Sequence, residues 1–321
     1  MRRVAVTGGT GFVGANVARR LINDGHDVHL LVRPGFSSWR IATILPDVEL
    51  HEVRFDDPEA VDTAVSAIRP EWLFHLAASG AYSWQNDLDH MLHTNVLGTA
   101  NLVEACLRAG TESFVNAGSS SEYGLVDRPA TEDDPPEPNS HYAVTKASAT
   151  LFCQYSGRRS GMNIPTLRLY SIYGPFEEPR RLMPTLVVHG LHGRLPPLVH
   201  PDTARDFVHV DDAVDAFLRA AGRSGGDPGA VYNVASGVQT TIRDVVELVR
   251  TELDLDVEPE WASMEQRSWD TDVWVGDPRK SQRELGWRPL VGLKEGLASF
   301  TAWFRTDPDL AAFYDEAMRR A

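Results

Sequence analysis

The chain has 321 residues, with 31 Lys+Arg against 45 Asp+Glu and a formal net charge of −14 when its histidines are neutral. That length supports a sizeable core in one large domain or two smaller ones. A hydrophobic content of 42% with Gly 25 and Pro 20 excludes a disordered, collagenous or coiled-coil chain. The acidic balance repels phosphates and argues against nucleic acid as a partner. Two cysteines, Cys106 and Cys153, make no disulfide framework and fit a reducing compartment. No apolar run approaches the ~18 residues of a membrane span. Met1-Arg2-Arg3 leads almost at once into a glycine-rich turn rather than a signal-peptide core. A cytoplasmic protein without membrane contact is expected.

Val4-Ala5-Val6 reads as a buried strand, and Gly14 to Asp24 as a helix with Val17, Ala18, Leu21 and Ile22 along one side. A second strand, Val28 to Val32, follows the turn at Asp24-Gly25. Further strands are expected at Val48–Phe55, Trp72–Ala77, Ser113–Ala117 and Thr166–Leu169, with helices at Pro58–Ile68, Asn95–Ala109 and Tyr142–Ser156. This alternation predicts an α/β fold, a doubly wound parallel sheet of Rossmann type with helices on both faces. After about residue 170 the pattern changes, as prolines from Pro175 to Pro201 punctuate loops and short elements. Helices are expected at Asp212–Ala221 and Ile242–Leu253, with Gly222–Gly229 as an exposed loop. The expected division is a dinucleotide-binding domain over 1–170, rejoined around 206–236, and a smaller C-terminal substrate-binding domain over 171–321.

Thr7-Gly8-Gly9-Thr10-Gly11-Phe12-Val13-Gly14 follows the first strand and opens the first helix. Glycines there allow a tight turn, let the backbone approach a pyrophosphate, and seat the anion at the positive helix N-terminus. Gly8, Thr10, Gly11, Phe12, Val13 and Gly14 are therefore expected to bind a dinucleotide. A carboxylate at the end of the second strand would hold the ribose 2′-hydroxyl of NAD. Here that place holds Arg33, followed by Pro34-Gly35-Phe36-Ser37-Ser38-Trp39-Arg40. A guanidinium suits a 2′-phosphate, assisted by Arg40 and a serine. The expected cofactor is NADP, with NAD as the alternative.

Tyr142 and Lys146 stand four residues apart, on one helical face. A neighbouring ammonium is expected to pull the tyrosine pKa down towards neutral and make it a general acid/base. Ser119-Ser120-Ser121-Glu122-Tyr123-Gly124 directly follows the strand Ser113–Ala117, so a hydroxyl there can hydrogen-bond a carbonyl oxygen as charge develops on it.

With these residues in place, the chain resembles the extended short-chain dehydrogenases/reductases of the nucleotide-sugar epimerase/dehydratase/reductase type. The glycine motif, His75-Leu76-Ala77-Ala78, Asn95-Val96-Leu97-Gly98-Thr99, the serine run, Tyr142/Lys146 and Leu169-Tyr170-Ser171-Ile172-Tyr173-Gly174-Pro175 occur in that family's order. Arg205 to Asp212, Tyr232 to Gly237 and Leu285-Gly286-Trp287 extend the match over nearly the whole chain. The resemblance implies Tyr142 as catalytic acid/base, Lys146 on the nicotinamide ribose, and Ser119 as the assisting hydroxyl, with Ser120 one residue of slip away. It adds Phe55, Leu76, Ala77 and Ala78 to the cofactor site. It places Ser120, Ser171, Arg205 and Arg267 on a nucleotide-sugar substrate, and it implies a homodimer. Asn233 and Asp211 read as turn and cap residues.

Three departures carry information. Sugar 4,6-dehydratases carry an Asp-Glu pair where this chain has Ser120 and Ser121, so dehydration is disfavoured. Ser171 replaces the usual Asn before Tyr-Gly-Pro, in the sugar-diphosphate contact. Arg54 replaces an Asp after the third strand and alters the surroundings of the adenine near Phe55. The first reading is an NADP-dependent reductase of a nucleoside-diphosphate-linked keto sugar, with Tyr142 as general acid. An epimerase with tightly held NAD is the alternative, and a non-catalytic dinucleotide sensor is a third.

Other chemistries find less support. No metal site is expected: His189 and His192 lack framing ligands, and Gly190 and Gly193 argue against a regular helix there. Gly118-Ser119-Ser120-Ser121 is not a nucleophile elbow. Cys106 and Cys153 read as small buried hydrophobes. Trp261, Trp269, Trp274 and Trp287 read equally as packing or as the lining of a sugar pocket.

Overall fold

A computed structural model describes residues 1–264 and 271–319 of the chain. The first half alternates strand and helix: β1 (Arg3–Thr7), α1 (Phe12–Asn23), β2 (Asp27–Val32), β3 (Glu49–Glu52), α2 (Pro58–Ile68), β4 (Trp72–His75), the short α3 (Leu88–Met91), α4 (Gly98–Ala109), β5 (Ser113–Ser119), α5 (His141–Ser160) and β6 (Thr166–Leu169). There follow β7 (Ser171–Tyr173), α6 (Leu182–Leu191), β8 (Ala204–Arg205), β9 (Phe207–His209), α7 (Val210–Ala221), β10 (Val231–Val234), β11 (Thr240–Thr241) and α8 (Ile242–Leu253). The last elements are α9 (Arg279–Leu285), α10 (Leu293–Thr306) and α11 (Pro308–Arg319).

Seven strands form one parallel sheet in the order β10-β6-β5-β4-β1-β2-β3. The order reverses at β1, which puts a crevice at the carboxyl ends of β1 and β4. The inner strands β1, β2 and β4 read as largely apolar runs because both faces are covered, whereas the edge strand β3 is polar and exposed. Val4 and Val6 join α1 and α7 residues in one cluster, while Ala5 between them joins α2, α4 and α5 residues in the other. Cys106 and Cys153 are buried and free in that second cluster, as small hydrophobes. A third cluster unites α6, α8, α10 and α11 around Leu186, Val245, Phe300 and Tyr314.

Local chemistry fixes the helix ends. The Asp57 carboxylate accepts from the Glu59 and Ala60 amides, and Pro58 occupies the first turn of α2. Ser140 caps α5 by accepting from the Ala143 amide, and Gly161 closes that helix in the left-handed region. The chain leaves the sheet after Leu169 and returns at Val231, where β10 pairs with β6.

Several expectations need correction. The strand at 48–55 shortens to Glu49–Glu52, and the strand at 113–117 runs on to Ser119. The helix read from Asn95 is preceded by the one-turn α3 and a wide π-helical stretch, Leu92–Leu97, that leads into α4. That widened turn carries Asn95 inward, where its side chain meets Ser79 and Thr145. His189 lies within a regular helix after all. Gly190 is what lets α6 press on α8, since a Cβ there would sit 2.4 Å from Leu253 Cδ1. Trp287 is fully buried and its indole donates to the Asp212 carbonyl, so it packs rather than lining a pocket, and Trp269 lies outside the described residues. Asn233 belongs to β10 and not to a turn; its amide group donates to the Ala130 and Asp277 carbonyls and accepts from the Tyr123 hydroxyl.

Candidate active site

The crevice is a cavity of about 680 Å³ at the carboxyl ends of the strands. The glycine turn forms one wall. Gly8 has φ +69°, and a Cβ on it would lie 2.5 Å from the Leu76 carbonyl carbon and the Ala77 amide. A Cβ on Gly14 would lie 2.2 Å from the Gly8 carbonyl oxygen. Only glycine permits this approach of β1, α1 and the end of β4. Gly11 caps α1 without a side-chain acceptor, so no side chain satisfies the first amides of the helix at the cavity wall. This is an anion cradle suited to a dinucleotide pyrophosphate.

All the expected cofactor residues border the cavity: the glycine turn from Gly8 to Gly14, Arg33 and Arg40, Phe55, Leu76 to Ala78, Tyr142 and Lys146. Arg33 is exposed at the end of β2 and makes no hydrogen bond or ion pair among the described residues. Arg40 departs from the expected assistance. It is buried, its Nε donates to the Phe176 carbonyl at 2.8 Å, and its guanidinium pairs with Glu178 at 3.2 Å and stacks on Trp39. Arg54 beside Phe55 pairs with Asp56 at 3.0 Å.

Tyr142 and Lys146 extend from the first turns of α5, both on the cavity wall. The Ser119 hydroxyl hydrogen-bonds the Ser121 hydroxyl at 2.7 Å and lies near enough to Tyr142 to favour its ionised form, while Ser120 is buried. Burial pushes the Tyr142 phenol up to about 12, against the lowering effect of Ser119. The expected depression towards neutral is therefore absent. The Lys146 ammonium instead donates to the Ala117 carbonyl at 2.5 Å, and burial lowers its own pKa. Tyr142 is held as a neutral phenol, the form that gives up a proton.

Residues that motif reading left without a role brace this pair. Glu122 is fully buried. One of its oxygens accepts from the Ser119 amide at 2.8 Å and the other pairs with Arg168 Nε at 2.9 Å. The Ser119-x-x-Glu122 spacing is a capping box, a signal present in the sequence. Arg168 stacks on the Tyr123 ring. Asn95 clamps the backbone of Ser79 on both sides and donates to the Thr145 hydroxyl at 2.9 Å. His75 bridges Thr7 at 2.7 Å and Thr99 at 2.9 Å, and burial, with Lys146 nearby, holds it down at about 3. Tyr82 and Trp84 stack at 4.8 Å on the cavity wall, and the Arg180 guanidinium lies over Trp84.

Of the expected substrate residues, Ser120, Ser171 and Arg205 lie apart from the cavity lining. Ser171 sits on β7 and its amide donates to the Asp206 carbonyl. Arg205 sits on β8, donates to the Ala204 carbonyl and lies over Trp274. Arg267 lies outside the described residues. Among the described residues, the histidines and carboxylates that come close enough to share an ion are His29, Glu49 and His51, on β2 and β3, a cluster that sequence reading did not single out.

Removing the Glu122 charge leaves Arg168 buried and uncompensated. Glu122→Gln is expected to cost roughly 3–5 kcal/mol in urea unfolding, and a Glu122→Leu/Arg168→Met double variant to recover most of it. An unchanged midpoint in Glu122→Gln would show that the ion pair does not hold the Ser119 turn.

Comparison with known proteins agrees with this geometry. The chain is 30% identical to a UDP-glucose 4-epimerase of Mycolicibacterium smegmatis, over 94% of this chain and 98% of that one. It is equally, 30%, identical to a dTDP-glucose 4,6-dehydratase of Streptomyces griseus, over 93% of each. A crystal structure of the Thermus thermophilus UDP-glucose 4-epimerase in complex with NAD superposes with a TM-score of 0.83 at 29% identity, covering 94% of this chain and 99% of that one. The model of the NAD dependent epimerase/dehydratase family matches residues 4–235, and the chain is an enzyme of that family.

Proposed function

We propose that this protein is an NADP-dependent reductase of a keto sugar carried on a nucleoside diphosphate. The observation that carries the reading is Arg33, an unengaged guanidinium beside the cavity at the end of β2, where a carboxylate would select NAD. The neutral Tyr142 phenol adds to it, because carbonyl reduction needs an acid at the oxygen. Ser120 and Ser121 stand where dehydratases carry an acidic pair, which argues against water elimination.

Bound NADPH would supply the hydride. The α1 amides and the glycine turn would hold its pyrophosphate, and Arg33 its 2′-phosphate. Ser119 would orient the ketone oxygen and stabilise the charge that builds there. Tyr142 would donate its phenolic proton to that oxygen, and Lys146 would hold the ribose and favour the phenolate left behind. The nucleotide-sugar substrate is supported by the names of the relatives and by the aromatic wall of Tyr82 and Trp84, which suits a sugar ring. Arg205 and Arg267 would serve its diphosphate.

A second reading, an epimerase with tightly held NAD, is favoured by the NAD-bound epimerase that shares the fold. The two separate on Arg33. Arg33→Ala is expected to raise KM for NADPH at least tenfold with little change for NADH. A purified protein that carries stoichiometric NAD and turns over no keto sugar with NADPH would overturn the reductase reading and establish the second.

We read the molecule as a homodimer. Leu97, at the start of α4, and Val144, Leu151 and Tyr155 on the neighbouring α5 are all exposed large apolar side chains, more than isolated surface residues account for. A second copy paired across a two-fold axis would cover them. Light scattering is expected to give about twice 35.5 kDa for the parent and 35.5 kDa for Leu151→Arg. A parent that runs as a monomer would contradict this. The two buried thiols suit the reducing cytoplasm, and no helix among the described residues is long and apolar enough to cross a membrane.

A further inference from the structure

A cluster of metal-binding side chains lies outside the cleft. In the parallel register His29 on β2 stands beside Glu49 on β3, and Leu31 beside His51. Residues two apart on a strand share a face, so His29, Glu49 and His51 gather on one side of the sheet edge. His29 Nδ1 lies 3.0 Å from His51 Nε2 and 3.5 Å from Glu49 Oε2, and His51 Nε2 lies 3.7 Å from Glu49 Oε1. Tetrahedral coordination at about 2.0–2.1 Å separates adjacent ligand atoms by roughly 3.3 Å. The three side chains already come near that spacing, with one Glu49 oxygen towards each ring.

We propose that His29 Nδ1, His51 Nε2 and a Glu49 carboxylate oxygen bind one divalent transition-metal ion, zinc by their ligand chemistry, and so tie the edge strand β3 to β2. Two imidazoles and one carboxylate suit zinc and its first-row neighbours, whereas magnesium and calcium take oxygen ligands. A neutral histidine pair alone would need one shared proton and no carboxylate, yet Glu49 faces both ring nitrogens. The far nitrogen of His29, Nε2, is buried without a hydrogen bond, and the Asp27 carboxylate lies 3.4 Å from it. A metal on Nδ1 puts the imidazole proton on Nε2, facing Asp27, and so gives that buried atom a partner. Glu49 is exposed, which leaves an entry path and a fourth position for water. None of the three side chains lines the cleft, and His29 precedes Arg33 by four residues, roughly 13 Å of strand.

The test uses the full-length protein, stripped with a chelator and titrated calorimetrically with zinc chloride. One equivalent is expected to bind. His51→Ala and Glu49→Gln, both at the edge strand rather than in the core, are each expected to weaken binding at least tenfold while NADPH binding stays unchanged. Cobalt(II) is expected to give the intense visible bands of a four-coordinate ion in the parent and to lose them in His51→Ala. Failure of the parent to bind a single equivalent, or equal binding by parent and His51→Ala/Glu49→Gln, would overturn the site. The last result would place any bound zinc on other histidines.

Discussion

The cleft rests on one steric constraint, the approach of Gly8 to the backbone at Leu76 and Ala77. At 2.5 Å from where a Cβ would stand, no side chain fits, and the positive φ of Gly8 disfavours one as well. Gly14 repeats the constraint at the start of the helix, against the Gly8 carbonyl. These contacts draw the start of α1 down onto the ends of β1 and β4, so its unsatisfied amides stand at the cavity wall where the strand order reverses. An anion of the pyrophosphate kind is the natural occupant, and the rest of the chemistry is arranged around it.

On the opposite wall the groups proposed to handle the proton are braced by buried polar contacts. Glu122 joins the Ser119 amide to Arg168, Asn95 holds the Ser79 backbone, and His75 is kept neutral between two threonine hydroxyls. Left unpaired, each of these groups would be costly in so dry a place. Paired as they are, they hold the Ser119 turn and the start of α5 in place. Burial then decides the protonation state: it outweighs the lowering influence of nearby Ser119 and keeps the phenol neutral.

Much of this was legible in the sequence because it is local. Strand-turn-helix order located the glycine turn, and a spacing of four located Tyr142 over Lys146. The helical stretch read at Pro58–Ile68 is α2 with the same bounds. What sequence reading missed depends on contacts between distant segments. The π-helical turn at Leu92–Leu97 carries Asn95, which bonds the distant Ser79 backbone, and Gly190 of α6 packs against Leu253 of α8. Proximity of a lysine gave the wrong direction for Tyr142, since the depth of its burial was invisible. Arg40 read as an anion ligand until Glu178 and the Phe176 carbonyl, far along the chain, were seen to engage it. His29 and His51 stand apart in sequence and meet only through the register of β2 with β3.

The account turns on hydride passing from a dinucleotide in this cleft to a sugar carbon as Tyr142 supplies the proton. Its most direct measurement uses NADPH deuterated at the transferable position, incubated with the purified chain and a nucleoside-diphosphate keto sugar, with the product read by mass spectrometry. The account predicts one deuterium on the sugar ring for each turnover. A converted sugar without the label, alongside nucleotide that keeps it, would contradict the account.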